Sequence, residues 1–241
     1  MTDWYKIKKV LTWVNWEEKQ IYPAGWKPNA NTVAWWKLEW DFKDYSWNNR
    51  DLTNSWVTFT LWWPSQVAVF TNSSTYAYYE NNSLFNISYP YTFNTWVKAS
   101  SIGSYEYVFM WVQNWTDVST HDKEVWFKNY NYVYSYVWSW SVSKIVSSTT
   151  VSTNTWYNVI YTYDWSNQKL YINWNLVWTL STSSSHTWYS SARLTLSKNA
   201  STSSNVYPFS WNLSHVIVEN KAWSWDDALL YYNLTKSNYG L

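Results

Sequence analysis

The chain has 241 residues with 25 Trp, 3 Gly, no Cys and a formal net charge of +1. At an ordinary glycine share of ~7%, roughly 17 glycines are expected, so the chain is short of glycine and rich in tryptophan. The length suits one domain with a full core. The near-neutral charge leaves no electrostatic footprint for nucleic acid, and no apolar run approaches the ~18 residues of a membrane span. The lack of cysteine removes disulfide frames, thiolate zinc sites and thiol nucleophiles.

Residues 1–32 read as an N-terminal extension or attachment arm, and residues 33–241 as one domain. Lys6, Lys8 and Lys9 fall in the first 16 residues, which have no apolar core, so no signal peptide is read there. From position 33 onward, β-branched and aromatic runs alternate with Ser/Thr/Asn clusters at the spacing of an all-β sandwich. Strands are expected at 33–39, 66–71, 89–99, 105–112, 157–164, 169–173, 176–181, 193–198 and 213–219. Tyr130, Tyr132, Tyr134 and Tyr136 alternate with Asn131, Val133 and Ser135, a strict period of two. Only residues 224–232 look helical, with Ser224 as the cap and Asp226 and Asp227 in the first turn.

The tryptophans sit where turns want glycine. Asp164-Trp165 and Asn173-Trp174 each separate two β runs. Asp-Gly and Asn-Gly are the strong hairpin signals there, because Gly takes φ > 0 without penalty and Trp does not. Ser46-Trp47-Asn48 and Ser210-Trp211-Asn212 repeat the placement.

Read with glycine at 165, 174 and 178, residues 155–179 become TWYNVIYTYDGSNQKLYINGNLVGT. This segment resembles the signature hairpin of laminin-G-like, concanavalin A-like jelly-roll domains. Residues 33–56, residues 91–99 with Trp96, and residues 209–232 are similar to the family's first strand, a middle strand, and its closing strand with a short helix. The resemblance implies an all-β, two-sheet antiparallel jelly-roll sandwich (concanavalin A-like) with one short C-terminal helix, of the type found on phage particles and bacterial surfaces. It also implies that many tryptophans, among them Trp40, Trp47, Trp56, Trp165, Trp174, Trp178 and Trp211, are UGA codons read as glycine in the source. Trp36, Trp96, Trp156 and Trp223 read as true tryptophans.

Catalytic chemistry is not visible. Glycanases of the superfamily use Glu-x-Asp-x-Glu on one strand; here Glu39-Trp40-Asp41 lacks the third carboxylate. His121, His186 and His215 stand in no metal-ligand spacing. The expectation is therefore a protein that is not an enzyme and needs no cofactor. Asp44, Asn48 and Asp51 are the oxygen donors for a possible Ca²⁺, but Ser214 and His215 stand where the family carries acids, which favours Asp44 bonding its own turn.

What the resemblance implies is a carbohydrate-binding or adhesion module, extracellular or on a virion surface. Its partner would be a cell-surface glycan, with other virion or surface proteins as further partners and with neither nucleic acid nor membrane insertion. The alternatives are a structural decoration or protein-interaction domain and, behind it, a glycan hydrolase fragment. Tyr130, Tyr132, Tyr134 and Tyr136 are the candidate ligand-binding residues, since aromatic rings stack on sugar C–H faces. The same alternation also fits a buried inner face with Asn131 and Ser135 turned to solvent.

Overall fold

The computed structural model describes residues 26–62, 65–71, 74–80, 90–101, 107–114, 121–128, 132–138, 142–181, 192–197 and 210–241. They form a two-sheet antiparallel jelly-roll sandwich with one C-terminal α-helix, the fold expected from the sequence. In chain order the strands are β1 (Thr32–Trp36), β2 (Thr53–Ser55), β3 (Thr58–Trp62), β4 (Ser65–Phe70), β5 (Tyr76–Glu80), β6 (Tyr91–Ala99), β7 (Tyr107–Asn114) and β8 (His121–Lys128). They continue as β9 (Tyr132–Trp138), β10 (Val142–Thr150), β11 (Trp156–Tyr163), β12 (Asn167–Ile172), β13 (Asn175–Ser181), β14 (Ala192–Leu196) and β15 (Trp211–Glu219). One sheet runs β13-β12-β11-β6-β15-β4-β3, with β1 also on β15; the other runs β10-β9-β8-β7-β14-β5-β2. The two are called sheet A and sheet B below.

The main core lies between the sheets. Tyr91, Phe93 and Val97 of β6, Tyr161 of β11 and Leu213, Val216 and Val218 of β15 face Val112, Val125, Val133, Ile145, Leu194 and Leu196 of sheet B. A second core lies on the outer face of sheet A, where Trp35, Trp96, Trp156, Ile160 and Ile217 pack under Tyr231, Tyr232 and Tyr239. Sheet A is therefore covered on both faces, which is why β6 and β15 are buried along almost their whole length.

The cover is helix α1 (Trp225–Thr235) and a 3-10 turn (Lys236–Tyr239). Ser224 caps the helix as expected: its Oγ accepts from Asp227 N at 3.2 Å while its own N donates to Asp227 Oδ2 at 2.8 Å, a reciprocal capping box. The helix runs three residues beyond the expected 232. Trp96 explains this, because its ring stacks on Tyr239 at 4.0 Å and on Tyr232 at 5.7 Å, and its Nε1 donates to Thr235 Oγ1 at 3.2 Å. A single β6 side chain thus fixes the last turn of the helix and the turn that follows.

β15 holds its register by a bulge. Ser214 pairs with Trp96 and Ile217 with Asn94, so one extra residue is inserted between them. Strict alternation from Trp211 and Leu213 would carry His215 into the core. The bulge instead sets His215 at φ +51 and returns Val216 and Val218 to the inner face.

The hairpins behave as their residues require. Asn173 and Trp174 sit at φ +47 and +63 between Ile172 and its partner Asn175, the two left-handed central positions of a type I′ turn. Trp165 (φ +77) and Trp56 (φ +58) are left-handed as well. Both rings project outward, 58% and 82% exposed, whereas Trp36, Trp96, Trp156 and Trp223 are at most 3% exposed. Trp211 differs from the other positions read as glycine, since its ring is buried and its Nε1 donates to Ser197 Oγ at 2.8 Å.

A left-handed conformation costs a non-glycine residue about 1–2 kcal/mol, part of which the entropy of glycine offsets. Trp165→Gly and Trp56→Gly should therefore each leave stability unchanged or raise it by up to about 1 kcal/mol. Trp96→Gly should lower it by at least about 3 kcal/mol. Denaturant unfolding measures all three, and a loss from Trp165→Gly comparable to that from Trp96→Gly would contradict the turn assignment.

Candidate functional site

With sheet A covered by the helix, the outer face of sheet B is the broad face on which, among the described residues, no helix or strand packs. The tyrosine ladder lies on it. Val133 belongs to the core and Ser135 is fully buried opposite Ile145 and Val125, so the alternating positions 132, 134 and 136 fall on the outer face. Of the two placements that the alternation allows, the inner-face one with Ser135 turned to solvent is therefore not the one adopted by positions 132 and 134. Small or β-branched residues fill the inner face of β9 because the bulky rings of sheet A project into it from the opposite side.

The ladder is not uniform. Tyr132, near the start of β9, is half-buried, whereas Tyr134 in mid-sheet is 5% exposed. Tyr136 pairs with Glu124 on one side and Lys144 on the other, and its side chain lies outside the described residues. Tyr130 also lies outside them. The structure thus brings 132, 134 and 136 to one face.

Sequence reasoning missed the other end of that face. On β5, Ala77 points into the core while Tyr76 and Tyr78 turn outward, half-buried, with ring centroids 5.8 Å apart and planes inclined by 28°. Arg193 of β14 lies with its guanidinium carbon 4.6 Å from the Tyr78 ring centroid and pairs with Glu80. Thr195, in register with Tyr78, is buried and its hydroxyl has no hydrogen-bond partner. Tyr76 and Tyr78 were legible as an alternation over 76–80, but the run is short and carries a third tyrosine, Tyr79, in the opposite phase.

A charged cluster occupies the opposite side of the molecule, at the β15 bulge. Lys37, 3% exposed, follows β1, and its carbonyl accepts from His215 N at 2.9 Å and from Ser214 Oγ at 3.2 Å. Its ammonium lies 4.1 Å from the Tyr45 ring centroid and 5.2 Å from that of Trp35. His215 Nε2 meets Glu39 Oε1 at 3.1 Å, so this histidine is partnered across 176 positions of sequence. Burial pushes the Lys37 amine down to about 8, although Glu39 and Asp41 pull the other way. Burial would raise the Glu39 carboxyl, but the hydrogen bond and charge of His215, with Lys37 and Ser65, hold it below its ordinary value. The cluster closes the gap on β15 where β1 ends and β4 has yet to begin. Its partners are supplied from within the chain, which makes it a latch between strands.

The first loop is organised by Asp44. Its Oδ1 accepts from Trp35 N and Ser46 N, and its Oδ2 from Ser46 Oγ and Arg50 N, at 2.8–3.0 Å. Asp51 accepts from Asp44 N at 2.8 Å, and Asn48 donates to the Thr32 and Val33 carbonyls at 3.0 Å. The two Asp44 oxygens are thus committed to protein donors in a turn of Asx type. Among the described residues no group of three or more His, Asp or Glu is arranged to hold a metal ion, and no helix is long and apolar enough to cross a membrane.

No family model and no curated protein matches this sequence. Solved structures do. The fold is similar to the binding domain of Paraclostridial Mosquitocidal Protein 1, with a TM-score of 0.68 at 18% identity over 84% of this chain and 52% of that one. It is similar to the Botulinum Neurotoxin Type G receptor binding domain, with a TM-score of 0.66 at 13% identity over 86% and 52%. It is also similar to the botulinum neurotoxin serotype D ligand binding domain solved in complex with N-acetylneuraminic acid, with a TM-score of 0.67 at 14% identity over 84% and 50%. The chain spans about half the length of each. The class so defined is an all-β sandwich that shares its fold with part of several toxin receptor-binding domains.

The Lys37 cluster gives a pH dependence with a definite sign. Between about 8 and the ordinary lysine value of 10.5, the unfolded chain binds more protons than the folded one, so stability rises with pH. Tyr231 and Tyr239, whose hydroxyls are pushed up by burial, reverse the trend once unfolded tyrosines ionise above about pH 10. Thermal melts should therefore climb between pH 8 and 10, and Lys37→Met should flatten the climb. An unaltered slope in the variant would remove Lys37 as its source.

Proposed function

We propose that the protein is a non-catalytic carbohydrate-binding module that receives a cell-surface glycan on the outer face of sheet B, through Tyr132, Tyr134 and Tyr136, with Tyr130 as the fourth candidate residue. The observation that carries this reading is the asymmetry of the sandwich. Sheet A buries both faces, whereas sheet B turns half-buried tyrosine rings outward where no described helix or strand covers them. A tyrosine ring offers an apolar surface to a sugar C–H face and a hydroxyl to its edge. Tyr132 is the accessible platform, with Tyr134 packed beside it in mid-sheet. The similar structures are binding domains of toxins, one of them solved in complex with N-acetylneuraminic acid, which supports a glycan-binding reading over a catalytic one.

In this proposal the domain comprises residues 33–241 and belongs to the laminin-G-like, concanavalin A-like group. Residues 1–32 form its attachment arm, and the module works outside the cell or on a phage particle. Weak single sites suffice in that setting, because repetition on a particle multiplies them by avidity. A glycan array probed with the multimerised protein should give saturable signals that Tyr132→Ala lowers at least tenfold without changing the melting temperature. A flat array would overturn the glycan reading and favour a decoration domain.

The source is proposed to read UGA as glycine. Trp56, Trp165 and Trp174 support this, since all three are left-handed and all three belong to the positions read as glycine. Intact mass of the natively produced protein tests the decoding directly. It should fall below the mass of the Trp-containing chain by the Trp-to-Gly difference at each recoded site. A mass equal to that of the chain with all 25 tryptophans, or UGG codons at 165 and 174, would overturn it.

A further inference from the structure

We infer that the β5–β14 end of the sheet B face is a subsite for an acidic sugar, one bearing a carboxylate or sulfate. This rests on the glycan-binding reading above and specifies the chemistry of the ligand. Tyr76 and Tyr78 provide two neighbouring rings in a nearly parallel arrangement, on the same face as Tyr132 and Tyr134. Arg193 lies over the Tyr78 ring, so its guanidinium is positioned by packing before any ligand arrives. A planar guanidinium is the group best matched to a carboxylate or sulfate, because its N–H donors lie in a fixed fork.

Glu80 shows the geometry such a ligand would use. Its carboxylate pairs with Arg193 from the end of β5, with its side chain 41% exposed while that of Arg193 is 20% exposed. The acid is thus the more solvent-accessible and replaceable partner. An incoming carboxylate takes over the guanidinium and releases Glu80 to water. The buried Thr195 hydroxyl beside Tyr78, without a hydrogen-bond partner, adds a polar group to the floor of the subsite.

The test uses lactose, 3′-sialyllactose and 3′-sulfolactose as matched probes on the whole protein, with binding read by titration. The acidic probes should bind at least tenfold more tightly than lactose, and Arg193→Gln should erase that difference. Glu80→Gln, which removes the competing carboxylate and keeps the shape, should tighten the acidic probes several-fold and leave lactose unchanged. Equal binding of all three probes by the unaltered protein, or an unchanged preference in Arg193→Gln, would overturn the acidic subsite while leaving the glycan reading in place. Failure of every probe and of the wider array would overturn both.

Discussion

Everything in this molecule follows from the double burial of sheet A. Its inner face packs against sheet B, and its outer face is closed by a helix that Trp96 holds through two ring stacks and one hydrogen bond. Burying both faces of a sheet strands polar groups, and the chain answers with internal partners. Thr92 and Thr162 hydrogen-bond each other at 3.0 Å and both accept from the Trp223 amide, while Asn158 Nδ2 donates to Asn94 Oδ1 at 2.7 Å. Glu219 is buried and accepts from Trp223 Nε1, Thr32 and Asn29. These groups tie β1, β6, β11 and the helix entry together before the surface is considered.

The same constraint decides where function is possible. A face covered by its own helix is spent on stability, and the charged groups trapped at its rim find partners within the chain, Glu39 on His215 and the Lys37 ammonium over the Tyr45 ring. Sheet B has no such cover among the described elements, and it is where aromatic rings and guanidinium meet solvent. In the proposed reading, stability and recognition are divided between the two sheets.

Much of the fold was legible in the chain. Ser224 with Asp227 announced the helix start, and Asn173-Trp174 announced a turn whose two central residues are left-handed. The period of two in 130–136 identified β9. It did not say which side of the strand faced the core, because alternation is symmetric and volume decides the choice: Val133 and Ser135 fit where tyrosine rings do not. The β15 bulge was illegible for a related reason, since a single inserted residue leaves no local signature. The Glu39–His215 and Arg193–Glu80 pairs join positions far apart in sequence that only strand order brings together. The helix-side extension past 232 came from packing against Trp96, which local helix signals do not carry.

The central claim is that the open face of sheet B, and not the covered face of sheet A, meets the ligand. Saturation-transfer NMR from a protein deuterated everywhere except tyrosine tests it most directly, with resonance assignment identifying the contacting rings. The account predicts transfer to the glycan from Tyr76, Tyr78 and Tyr132, and none from Tyr231 or Tyr239, on the buried side of the helix and the turn after it, or from Tyr161 between the sheets. Transfer arising from the helix side, with the sheet B tyrosines silent, would contradict it.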